Sequence, residues 1–174
     1  MRIRKFNEEV LFATDTIVSV GAKDIEQLKH KAKRNKRRRI RLCAHSSHED
    51  YIHEMLIVHE KGCYVQPHKH INKTESFHII EGMVDIVHFD NDGWINEIIS
   101  MGDCGSGRKF FYRLPASIYH TLLIKSDVLV FHEITNGPFR PSETVWARWA
   151  PEETNEKAVS RYLEKIENYI DGNG

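Results

Sequence analysis

The residues best placed to do chemistry lie in Gly62-Cys63-Tyr64-Val65-Gln66-Pro67-His68-Lys69-His70-Ile71-Asn72-Lys73-Thr74-Glu75. His68 and His70 are two residues apart, so on an extended strand both imidazoles point to one face. Glu75 follows a short polar link that can bring the next strand alongside. Two imidazoles and a carboxylate converging on one point hold a divalent transition metal with coordination positions left open. Such an ion polarises a carbonyl or hydroxyl, or acidifies a water. Zn, Fe, Ni and Mn all remain open, because affinity follows the metal more than the site.

Strands must position these side chains, and from residue 38 onward the sequence supplies them. Short segments rich in β-branched and aromatic residues alternate with turn signals, which is the all-β pattern. The expected strands are Arg39–Cys43, Tyr51–Glu60, Cys63–His68, Glu75–Glu81, Val84–Phe89, Ile95–Ser100, Lys109–Leu114, His120–Ile124 and Val128–Ile134. Asp90-Asn91-Asp92-Gly93 reads as a hairpin turn. Gly102 to Gly107 reads as a flexible loop.

Upstream, residues 10 to 20 read as extended, and Asp24 is placed to cap a helix from Ile25 to about Asn35. At the far end Ala158, Tyr162, Leu163, Ile166, Tyr169 and Ile170 recur at helical spacing, which predicts a helix over Glu152 to Ile170. The resulting division is an N-terminal extension over 1–37, a barrel over 38–150 and a C-terminal helix over 151–174. That helix is expected to pack on the barrel or on a partner subunit.

The 174 residues suffice for one domain with a full core. Lys plus Arg and Asp plus Glu are equal at 25 each, so global charge points to neither nucleic acid nor membrane. The run Lys33-Arg34-Asn35-Lys36-Arg37-Arg38-Arg39 lacks the interleaved aromatics that stack bases, and reads as a solvated helix end facing the helix dipole. Three widely spaced cysteines without a CxxC are no disulfide framework. The basic N-terminus is broken by Asn7, Glu8 and Glu9 and is not a signal peptide. No apolar run reaches transmembrane length. A cytoplasmic location is the expectation.

Gly62, His68, His70, Glu75 and Gly82 resemble the first motif of the cupins, with every spacing satisfied. Pro115-Ala116-Ser117-Ile118-Tyr119-His120 is similar to the second motif, with proline and histidine in register. Ser117 replaces its glycine, Lys109 its preceding glycine and Ile124 its asparagine. Seven stretches between residues 39 and 152 resemble the WbuC-type cupins associated with O-antigen and other polysaccharide biosynthesis. Among them are Arg39–His45, Tyr64–His70, Lys73–Ser76 and Trp149–Glu152.

The resemblance implies an all-β cupin double-stranded β-helix, a jelly-roll barrel with a helix near each end. It also implies one divalent transition metal held by His68, His70, Glu75 and His120, and, by analogy with cupins, a homodimer. A small-molecule ligand, carbohydrate in this setting, is the expected partner.

Around that set, period-two counting puts Phe77 and Ile79 on the inner face with Glu75, and turns His78 and Cys63 away. Arg41, with Arg39, is a candidate for an anionic group such as a phosphosugar. His45 lies in a family-like stretch and can approach the site. Tyr64, on the face of Gln66 and His68, is a candidate pocket wall. His132 and His88 are candidates for the barrel mouth, and His59 reads as a surface residue. The reaction favoured is isomerisation or epimerisation of a sugar or nucleotide sugar, with a His or Tyr moving the proton. An Fe(II)-dependent dioxygenase and a non-catalytic sugar- or metal-binding module are the alternatives.

Overall fold

In the computed structural model, residues 1–115 and 117–172 are described. The chain order begins with β1 (Ile3–Lys5), β2 (Val10–Ala13), α1 (Ala22–Arg34), β3 (Arg39–Cys43) and β4 (Ile52–Glu60). It continues through β5 (His68–His70), β6 (Glu75–Glu81), β7 (Met83–Phe89), β8 (Ile95–Gly102) and β9 (Phe111–Leu114). It closes with β10 (Tyr119–Ile124), β11 (Val128–Asn136), β12 (Thr144–Trp146) and α2 (Glu156–Gly172).

The strands form a seven-stranded sheet in the order β1-β2-β3-β4-β11-β6-β9 and a five-stranded sheet in the order β12-β5-β10-β7-β8. From β4 to β11 the pairing is nested. β4 pairs β11, β5 pairs β10, β6 pairs β9 and β7 pairs β8, all antiparallel. A long hairpin folded over on itself in this way is a jelly roll, and the architecture is the cupin double-stranded β-helix with a helix near each end.

Alternation builds the core. On β11 Leu129 and Phe131 face between the sheets, as do Ile57 on β4 and Phe77 and Ile79 on β6. They meet Ile86 and Val84 of β7 and Leu122 and Ile124 of β10. The outer face of the large sheet offers Ile40, Leu42, Val58 and Val130 to Leu28 and Ala32 of α1. The small sheet's Val87, Phe89 and Leu123 are covered by Ile166 and its neighbours on α2. Phe77, Ile79 and Glu75 do share the inner face, while His78 is exposed.

Several boundaries differ from expectation for physical reasons. Helix α1 starts at Ala22 with Gly21 at its N-cap. Asp24 sits one turn in, where its carboxylate accepts from the Gly21 N–H at 3.0 Å. Strands β1 and β12, each three residues long, carry too few alternations to be read. Residues 63–67 are not a strand, so the period-two argument does not apply there. Cys104–Ser106 is a turn of 3-10 helix rather than an open loop. The basic run is held in ion pairs, with Arg37 and Arg39 both reaching Glu9 and Glu153. No described helix is long and apolar enough to cross a membrane.

Candidate metal centre

His68 and His70 stand on β5, Glu75 on β6 and His120 on β10, and the roll brings all four together. His120 is the register partner of His68 across the β10–β5 pair. The His68 ring lies 4.8 Å from that of His70 and 4.6 Å from that of His120. Between them sits the Glu75 carboxylate. One oxygen is 3.2 Å from His70 Nε2 and the other 3.3 Å from His120 Nε2.

The far side of each ring is already committed. His68 Nδ1 meets the Gln66 carbonyl at 2.8 Å, His120 Nδ1 the Ile118 carbonyl at 3.1 Å, and His70 Nδ1 the Thr144 hydroxyl at 3.1 Å. A backbone carbonyl can only accept, so His68 and His120 donate from Nδ1, which leaves Nε2 as the nitrogen that would face an ion. A hydrogen bond from the outer nitrogen is the one metal-ligating histidines make. Burial, followed by the nearby His120 and His70, pushes the His68 imidazole down to about 3 and keeps it neutral. Burial pushes the Glu75 carboxyl up, but the His120 and His70 hydrogen bonds and charges outweigh it. The carboxyl is held below the usual range and stays ionised.

Among the described residues no three His, Cys, Asp or Glu side chains stand as a finished metal-ligand set. The donor set nevertheless fits an ion. Ligands at about 2.1 Å from one metal lie about 3.0–3.4 Å apart when their bonds make roughly right or tetrahedral angles. The two Glu75–imidazole separations fall within that span. The second Glu75 oxygen is buried without a well-directed hydrogen bond, so it has a coordination position to give.

The centre forms part of the wall of a cavity of about 750 Å³. Of the further expected residues, Arg41 and His45 line this cavity. Tyr64 and His132 are not among its lining residues, which corrects their assignment to a substrate pocket. The Tyr64 hydroxyl donates to the Pro151 carbonyl at 2.9 Å, and its ring meets Tyr162 of α2. His132 lies between Phe131 and Glu133, which both face the cavity, so strand alternation turns it outward opposite His78. His88 is buried near Tyr112 and hydrogen-bonded to Glu97 through Nδ1.

His59 is also corrected: it is 7% exposed, lines the cavity and packs edge-on against Phe131. Burial, with Arg41 and Arg37 adding, pushes its imidazole down to about 3. The inward alternation of Met55, Ile57 and His59 on β4 was the signal that placed it. Glu133 was missed altogether. It faces the cavity between Phe131 and Thr135, and burial, then the Glu75 charge, pushes its carboxyl up to about 8.

A family model described as a domain of unknown function (DUF6016) matches residues 20–101, which include His68, His70 and Glu75 but not His120. A search of the curated proteins gives no match. Among solved structures, a protein of Shewanella oneidensis superposes with a TM-score of 0.50 at 11% identity, covering 61% of this chain and 72% of that one. The capsular polysaccharide assembling protein CapF of Staphylococcus aureus gives a TM-score of 0.46 at 22% identity, over 56% of this chain and 27% of CapF. A protein of Acidithiobacillus ferrooxidans assigned as a sugar phosphate isomerase gives 0.41 at 16% identity, over 51% of each chain. This chain therefore spans about half the length of the Acidithiobacillus protein and about a quarter of CapF. At these identities the likeness is one of fold.

Proposed function

We propose that this is a metal-dependent cupin of the WbuC type. In this reading it acts in the cytoplasm, as a homodimer, on a sugar or nucleotide sugar of polysaccharide biosynthesis. His68, His70, Glu75 and His120 hold the metal. One observation carries the reading: three imidazoles, each committed on its outer nitrogen, close around a buried carboxylate in the wall of a roomy cavity.

The ion, when bound, supplies Lewis acidity toward a carbonyl or hydroxyl oxygen. The chain supplies the proton carrier. Glu133 faces the same cavity on the register row next to Glu75 and has no ion-pair partner among the described residues. A carboxyl raised by burial can both accept and return a proton. Proton removal beside a carbonyl and its return is the chemistry of isomerases and epimerases. The role expected of a Tyr or His falls to Glu133 in this reading.

Elemental analysis of protein grown in its natural metal supply tests the centre, together with solvent deuterium exchange into nucleotide sugars. The wild type is expected to carry about one ion per chain and His68→Ala/His70→Ala none, while Glu133→Gln keeps the ion and loses exchange. Full metal retention in the double variant would sink the ligand assignment.

A further inference from the structure

Among the described residues that line the cavity, four carry a buried side-chain atom without a hydrogen-bond partner: Glu75 at the centre, His59, Thr135 and His53. Thr135 Oγ1 and His53 Nε2 are both buried, on residues 7% and 4% exposed, and both residues line the cavity. They are also neighbours in register. Thr135 of β11 stands opposite Glu75 of β6 on one side and opposite His53 of β4 on the other. Directly opposed residues place their Cβ atoms about 4.5–5.5 Å apart. A polar row therefore leaves the centre at Glu75 and passes Thr135 to His53. His45 continues it, its ring stacked on that of His53 at 4.1 Å and 4°.

The chemistry of the row is selective. His53 is held neutral, chiefly by burial, with His45 and Lys73 adding to the effect. Its Nε2 is buried without a protein partner. In the tautomer that carries the proton on Nδ1, this Nε2 can only accept. The space beside Nε2 is kept by Gly137, where a Cβ would stand 2.6 Å away and would also meet the Asp50 carbonyl at 2.0 Å. The Thr135 hydroxyl both donates and accepts. A carboxylate or phosphate offers no proton to Nε2, whereas an alcohol donates there and accepts from Thr135. Buried polar groups without protein partners are matched by what binds them.

We propose that Thr135 and His53 form a hydroxyl-reading subsite beside the centre, fitted to a neutral polyhydroxylated chain or ring. Its hydroxyls lie about 5 and 10 Å along the row from the oxygen that meets the centre, one and two strand spacings. The inference deepens the proposed function and rests on Glu75 marking the centre.

The test is ligand-observed NMR with D-ribose, D-glucose, D-mannose and xylitol, and with malonate as an anionic control. Wild type, Thr135→Val, His53→Phe and His53→Gln are compared, with metal content and thermal midpoint measured on the same samples. At least one polyol is expected to bind the wild type. Thr135→Val and His53→Phe should weaken it about tenfold each, the loss of one hydrogen bond. His53→Gln, which restores an acceptor, recovers part of the loss, and malonate does not discriminate among the proteins. Thr135→Val without ligand should melt higher than wild type, because an unpartnered hydroxyl is gone. No binding by any polyol overturns the proposal, as does equal binding by all four proteins, which would leave the row to ordered water. Absence of metal from every sample, with the polyol result intact, counts against the metal reading alone.

Discussion

The two stretches that bring the imidazoles together make similar backbone turns by different means. The first is bounded by Gly62 and Gly82, with φ of 80° and 90°. The second has Ser117 where the cupin pattern has glycine, yet Ser117 adopts φ of 71° and its N–H still reaches the His70 carbonyl at 2.8 Å. Space separates the cases. A Cβ at Gly82 would stand 2.2 Å from the Val128 carbonyl oxygen and 2.5 Å from Ser126 Oγ. Ser117 is exposed. Glycine at position 82 thus answers to crowding and conformation together, while position 117 answers to conformation alone. A serine meets that demand at about 1–2 kcal/mol of left-handed strain. The departure at position 117 leaves the presentation of His120 intact.

That contrast can be broken or sharpened in three ways. The largest effect is expected from Gly82→Ala. Left-handed strain and overpacking together predict a loss of about 2–5 kcal/mol, or a fall in thermal midpoint of roughly 5–15 °C. A midpoint within 2 °C of wild type, by the same scaling of about 2–4 °C per kcal/mol, would show that the β6–β7 turn relaxes freely. Next come His120→Ala and His68→Ala, one from each stretch. Loss of an outer-sphere partner typically costs about 10–100-fold in metal affinity, and loss of a ligand should cost at least as much in both variants. A much weaker effect in His120→Ala, read by competition with a chelator, would mean that the second stretch does not contribute equally. The smallest effect is expected from Ser117→Gly. Relief of strain is offset by a freer unfolded chain, so stability in denaturant should change by less than about 1 kcal/mol.

The positions read well from sequence are those fixed by short-range spacing. His68, His70 and Glu75 lie within one hairpin's reach, and the ends of β3 and β6 match the expected Arg39–Cys43 and Glu75–Glu81. Tyr64 failed because Cys63 and Tyr64 are buried in succession at 3% and 5%, in a segment without alternation. His59 and Glu133 failed differently. Both sit at inward strand positions among apolar neighbours, where a polar residue looks like a break in the pattern instead of a feature of the cavity wall. Thr135 and His53 acquire meaning only from cross-strand register, pairing residues more than eighty positions apart, which no local pattern carries.

The nested pairing also sets when the centre can exist. His68 meets His120 only after the chain has rolled up and β5 has found β10. Contacts so distant in sequence form late and slowly. A newly made chain would therefore offer an ion at most His68, His70 and Glu75, and His120 would join them with the closed roll. On the proposed function, metal would act as a latch on the finished fold. At a hundredfold excess over its dissociation constant it adds about 2.7 kcal/mol to stability. On that reading, the chain without its ion would keep the same fold at lower stability.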